Sequence, residues 1–160
     1  MTWTIREGRV EEIDRLVALR RTMFEAMGHQ DPALLDRVGD ACRRYFRANI
    51  PTGTLRVWAA IDEASGDLIA SIGLVVHTVP PGPFNLAGKE GYIMNLVTLP
   101  AWRRRGVARA LLTRVLGVLR AEDVPVASLH ASSAGRRLYE ELGFEIDDRF
   151  PEMRLRLTRR

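Results

Sequence analysis

The sequence predicts a single α/β (α+β) domain: one mixed central sheet with helices on both faces. Its 160 residues suffice for one domain with a real core and are too few for two ordinary ones. Strand-like and helix-like patterns follow one another in the order β-α-α-β-β-β-α-β-α-β-(β). No repeat, low-complexity stretch or linker interrupts them, so residues 1–160 read as one domain.

Residues 3–7 alternate apolar and polar, as a half-buried strand does. From 10 to 27 the apolar positions Val10, Ile13, Leu16, Val17, Leu19, Met23, Phe24 and Met27 keep helical spacing, and Gly28 stops the run. Asp31-Pro32 is an N-cap followed by proline at the first helical position, which opens a second helix reaching about Asn49. Leu55 to Ile61 and Leu68 to Val79 are β-rich and apolar, with a hairpin loop at 62–67. Pro80-Pro81-Gly82-Pro83 begins an irregular loop to Lys89, and Glu90 to Leu99 is a further strand. A long amphipathic helix covers Arg105 to Ala121, with Val107, Leu111, Val115 and Leu119 along one stripe. Val126 to Ala131 is a short strand. Ser132 or Ser133 caps a helix over 134–142. Phe144 onward and Met153 to Leu157 supply a final pair of strands.

Composition narrows the class. Hydrophobic residues at 46% and charged residues at 28% are ordinary for a globular protein and exclude disorder over most of the length. One cysteine, Cys42, excludes an internal disulfide framework and a Cys-rich zinc module, and with no apolar run long enough for a membrane span or signal core it fits a reducing cytoplasm. The net charge is +4, and Lys89 is the only lysine. Acidic residues interleave with the arginines and no nucleic-acid motif accompanies them, so neither nucleic acid nor a membrane surface is an expected partner. His29 and His77 have no partner at ligand spacing, and no metal site is expected.

The chemistry begins at Arg103-Arg104-Arg105-Gly106-Val107-Ala108, between a strand and the first turn of a long helix. The first N–H groups of a helix lack internal partners and the dipole is positive there. Three arginines, a glycine without a side chain and a small alanine make that turn either an anion site suited to a pyrophosphate or an ordinary solvated arginine surface. The spacing matches neither the Walker nor the Rossmann glycine pattern. About thirty residues on, Leu138-Tyr139-Glu140-Glu141-Leu142-Gly143-Phe144 places Leu138 and Leu142 on one helix stripe and turns Tyr139 off it.

A loop of form Gln/Arg-x-x-Gly-x-Gly/Ala at a strand–helix junction, then a strand, then Leu-Tyr-x-x-x-Gly-Phe, resembles the GNAT superfamily of acetyl-CoA-dependent N-acetyltransferases. The strand order agrees over nearly the whole chain. The resemblance implies a mostly antiparallel sheet of about six to seven strands. It implies acetyl-CoA as co-substrate, with the pyrophosphate on Arg104, Arg105, Gly106, Val107 and Ala108, and Arg103 and Arg109 nearby. The pantetheine arm would lie along the main chain of Leu96, Val97, Thr98 and Leu99. There a backbone N–H near Leu96 or Val97 would polarise the acetyl carbonyl. Tyr139 would protonate the departing thiolate or hydrogen-bond it. Ser132 stands where many members have Asn, and Gly135 where many have Ala; this leaves the Ser132 contacts open.

Beyond the motifs, His130 is either the general base or a strand histidine without a catalytic role. Asn95, polar within an apolar run, either orients water or substrate or stitches two strands. Glu25 and His29 could line the acceptor side. Cys42, mid-helix with no base beside it, is no acyl carrier, so direct attack by a primary amine of a small molecule or peptide is expected. A non-catalytic acyl-CoA-binding module is the alternative, and related folds often form homodimers through their C-terminal strands.

Overall fold

The structure is a computed structural model that describes residues 2–149 and 152–157. It comprises two compact units, Met1–Leu129 and His130–Arg160. The first holds β1 (Trp3–Glu7), α1 (Ile13–Ala26), α2 (Pro32–Asn49), β2 (Arg56–Asp62), β3 (Leu68–Thr78), β4 (Lys89–Thr98), α3 (Val107–Ala121) and β5 (Val126–Leu129). The second holds α4 (Arg136–Glu141).

The five strands form one sheet in the order β1-β2-β3-β4-β5. The first three pairings are antiparallel and β4 runs parallel to β5. The parallel step is the one that needs a crossover, and α3 supplies it. On β2, Val57 and Ala59 join a core with Ile13, Leu16, Val17 and Leu19 of α1 and Phe46 of α2. Trp58 and Ala60 are equally buried, and strand alternation puts them on the opposite face. There α3 packs on β2, β3 and β4 through Val107, Leu111, Val115 and Leu119, each no more than 3% exposed. Fully burying a side chain of that size is worth about 1.5–3 kcal/mol, so this one stripe fixes the helix to the sheet.

Several boundaries differ from the sequence expectation. The run expected from Val10 starts as a 3-10 turn over Val10–Glu12 before α1, and Val10 and Met27, its outer apolar positions, are exposed. Helix α3 begins at Val107 rather than Arg105, because Arg104 and Gly106 hold left-handed backbone at φ 60 and φ 80. The strand expected to reach Ala131 stops at Leu129. Helix α4 starts at Arg136, with Ser132 rather than Ser133 bracing its entry: the Ser132 carbonyl accepts from Gly135 and Arg136 N–H, and its hydroxyl accepts from Gly135 N–H.

The expected sheet of six to seven strands is a sheet of five among the described residues. Neither 144–149 nor 152–157 is strand. Met153, Leu155 and Leu157 alternate as strand residues do, yet they are 94%, 80% and 88% exposed. Alternation says which face a strand would bury; it does not supply the ladder partner that makes the strand.

Candidate functional site

Strand β4 changes character half-way along. Its first part is paired on both sides: Lys89 to Met94 with β3 and Glu90 to Ile93 with β5. The β5 ladder ends at the Ile93–Leu129 pair. On the β3 side the register slips, because Ser71 faces Val97 while Gly73 faces Met94. One extra residue therefore sits in β4, which is a β-bulge. Asn95 lies in it with φ 56, a backbone region that asparagine tolerates better than most residues. The side chains register the same slip. Met94, Val97 and Leu99 all pack on the α1 core, where unbroken alternation would have sent 94, 96 and 98.

After the bulge the β5-side edge of β4 is open among the described residues. The Leu99 N–H bonds the Ile69 carbonyl at 2.9 Å, so by alternation the Val97 peptide also faces β3, and those of Leu96 and Thr98 face the open side. The Thr98 carbonyl accepts from Arg103 Nε at 3.2 Å. Leu96 is thus left with main-chain groups on the free edge, and the Val97 N–H is committed to the sheet. The Thr98 hydroxyl oxygen is buried and has no hydrogen-bond partner among the described residues.

The chain then turns through a 3-10 segment, Pro100–Trp102, into the arginine loop. Arg105 reaches back with Nε to the Ala101 carbonyl at 3.2 Å and lies over the Trp102 ring at 5.9 Å. Arg103 N–H bonds the Pro100 carbonyl, and the next backbone bond is Ala110 N–H to Gly106. No backbone acceptor among the described residues takes the N–H groups of Arg104 to Ala108. Gly106 caps α3 from the left-handed region, with no side-chain cap, and a Cβ there would meet nothing within 4 Å. Glycine is needed for its φ, and the space beside it is clear of protein atoms. Arg109 lies in the first turn of α3, exposed.

Within the second unit, Tyr139 is half-buried on α4 and stacks edge-on against Phe144 at 6.0 Å. Burial pushes its phenol above the ordinary value of 10, because a phenolate would be poorly solvated there. A Cβ on Gly135 would come within 2.9 Å of the Tyr139 ring. Glycine at that position is therefore bound up with where the tyrosine ring lies. His130 is exposed, and its Nε2 contacts Glu152 Oε2 at 2.5 Å. Arg154, and then His130, hold the Glu152 carboxyl below the usual range.

Other sequence candidates fall elsewhere. Glu25 is ion-paired with Arg21 Nε at 3.0 Å on the α1 surface. His29 packs edge-on against Phe24 at 5.8 Å. His77 lies 3.8 Å from Glu90, whose other oxygen accepts from Ser128 at 2.5 Å. Cys42 packs against the α1 core. No group of three His, Cys, Asp or Glu among the described residues could hold a metal ion, and no helix there is long and apolar enough to cross a membrane.

An open strand edge that runs into a helix start with free amides is the arrangement the GNAT resemblance implies. The acetyltransferase (GNAT) family model matches residues 16–144. The chain belongs to the GNAT family. Mycothiol acetyltransferase of Beutenbergia cavernae is 33% identical over 91 residues, which is 55% of this chain but 28% of that protein. The chain thus spans under a third of that relative's length. Among solved structures, a predicted acetyltransferase of Clostridium acetobutylicum with acetyl-CoA superposes at a TM-score of 0.85. It is 25% identical, with 96% of each chain covered. A GCN5-related N-acetyltransferase of Ralstonia eutropha reaches 0.84 with 27% identity, over 95% of this chain and 98% of that one.

Two features of this GNAT domain were missed in the sequence: the bulge at Asn95, and Arg20 of α1, whose buried Nε has no hydrogen-bond partner among the described residues. An asparagine inside an apolar run is the only local sign of the first. Nothing local marks the second.

Proposed function

We propose that this protein moves an acetyl group from acetyl-CoA to a primary amine by direct attack in a ternary complex. The observation that carries the reading is one continuous segment, Asn95 to Ala108, in which an open strand edge leads into a helix start with free amides. The donor set suits acetyl-CoA: amides and arginines for a pyrophosphate, main-chain groups at Leu96 and Thr98 for an amide-bearing arm.

When bound, acetyl-CoA supplies the thioester acyl group. The amides of Arg104, Arg105, Gly106, Val107 and Ala108 hold the pyrophosphate, and Arg103 and Arg109 add charge beside it. The Leu96 N–H donates toward the acetyl oxygen, as an oxyanion donor does. One N–C bond forms as the C–S bond breaks; the amine loses a proton, and the sulfur leaves as a thiolate that takes up a proton from solvent. Tyr139 serves the sulfur. Its phenol, raised above 10, is a weaker acid than a thiol at about 8.5, so it stabilises the departing thiolate by donating a hydrogen bond. Complete proton transfer from it would be uphill. His130 is the proposed proton acceptor. Its Nε2 lies against Glu152 Oε2 at 2.5 Å and Arg154 Nη2 at 3.4 Å, which hold the ring in place.

The test is thiol release from acetyl-CoA across a panel of polyamines, aminoglycosides, amino acids, peptide N-termini and lysines. Release that depends on an amine is expected. Tight acetyl-CoA binding with no amine-dependent release anywhere in the panel would mean a binding module instead.

A further inference from the structure

Helix α1 carries three arginines, and two are neutralised. Arg15 lies 3.7 Å from Asp67. Arg21 bonds Asp36 at 2.6 Å and Glu25 at 3.0 Å. Arg20 has no carboxylate or other hydrogen-bond partner among the described residues, and its Nε is buried. Its guanidinium lies over the Phe24 ring, 4.9 Å from the centroid, a cation–π contact that restrains the side chain. The residue as a whole is half-buried, and it is the Nε that is shut away from water with no acceptor among the described residues, which costs a hydrogen bond.

Arg20 also lines a cavity of about 10 Å³ together with Ser71, Gly73 and Asn95. That volume is room for about one water. The cavity lies against the bulge of β4, one residue before the Leu96 N–H proposed to polarise the acetyl group. Leu16, Phe46, Val57 and Ile72 complete a mainly apolar lining, in which Ser71 and Asn95 are the polar side chains beside Arg20.

We infer that Arg20 recognises an anionic group on the acceptor, and that the acceptor is an amine bearing a carboxylate a few bonds from the nucleophilic nitrogen. The inference rests on the acetyl-transfer reading above. The planar fork of arginine matches a carboxylate with two parallel hydrogen bonds, which a lone water in the cavity cannot replace. A carboxylate arriving with the amine would satisfy Arg20 and set the nitrogen near the bulge. An acceptor without it would leave the cation unpaired, and such a site discriminates strongly.

The experiment compares the standard amino acids with their C-terminal amides as acceptors, for the wild type, Arg20→Met and Arg20→Lys. The acids should be preferred over the amides by about 100-fold in kcat/KM, the scale of a lost charge-assisted bidentate contact. Arg20→Met should collapse that preference to near one, mainly by raising KM for the acids. Arg20→Lys should restore part of it. Because Arg20→Met removes an unpaired buried donor, its thermal midpoint should hold or rise, whereas a purely structural arginine would lower it. Acids and amides used equally well by the wild type would overturn the inference and leave acetyl transfer standing. An unchanged acid preference in Arg20→Met, or a lowered midpoint with the preference intact, would overturn it as well. Absence of turnover with every amine would sink acetyl transfer itself, and the inference with it.

Discussion

Two helices of this protein begin in opposite ways. At the start of α2, Asp31 accepts hydrogen bonds from the N–H groups of Ala33 and Leu34, and Pro32 occupies a position whose N–H would have had no partner. The protein satisfies that terminus with its own carboxylate. At the start of α3, a left-handed Gly106 offers no side-chain cap, and the preceding arginines add positive charge to amides that have no backbone acceptor among the described residues. The same backbone physics operates at both ends. The α2 terminus is closed by an internal anion, and the α3 terminus is left open, as the proposed pyrophosphate site requires.

The contrast can be broken most severely by giving α3 what α2 has. Gly106→Asp would place a carboxylate at the free amides and strain a backbone at φ 80. Acetyl-CoA affinity should fall by more than about 100-fold in calorimetry, since like charge would meet the pyrophosphate where a cation and dipole attracted it. Gly106→Ala keeps the strain without the charge, and its methyl meets no protein atom within 4 Å. It should lose distinctly less, and equal losses in both variants would deny the electrostatic part.

A second test leaves both helix starts alone. Tyr139→Phe should lower kcat by about 100-fold, the low end of the range for a positioned acid or base, with the acetyl-CoA dissociation constant unchanged. Because burial raises the phenol above 10, the hydroxyl stays protonated up to at least that pH. Its ionisation favours the unfolded chain, so the associated stability is present below pH 10 and lost as pH rises through the folded value. A Tyr139-dependent decline of kcat near neutrality would contradict this assignment.

The smallest effect belongs to the closed terminus. Asp31→Ala should cost about 1 kcal/mol, or about 2–4 °C in thermal midpoint for a chain of this size. Acetyl-CoA affinity should not move. A measurable loss of cofactor affinity in that variant would show that the two termini are coupled.

How legible each feature was in the sequence depends on how far its cause lies from it. Asp31-Pro32 and Asn49 bound α2 as expected, because a cap and a proline act on adjacent peptide groups. The α3 stripe of Val107, Leu111, Val115 and Leu119 was equally plain, since helical period is local and all four are buried. Helix α3 starts two residues late because the backbone of Arg104 and Gly106 departs from what their residue types favour in a helix. The extra strands over Phe144 onward and 153–157 were expected from alternation alone, and alternation names no partner.

The sequence by itself therefore determined the helices, the anion loop, the tyrosine motif and through them the family. Period, caps and short motifs act over a few residues. Only the tertiary structure decided that β4 parts from β5 after Ile93, that a bulge at Asn95 turns the Leu96 peptide to the open edge and leaves Val97 in the sheet, and that Arg20 alone of the α1 arginines lacks a carboxylate among the described residues. Each of these depends on which distant segment lies alongside, and neither ladder partners nor counter-ions are written within the segment that needs them.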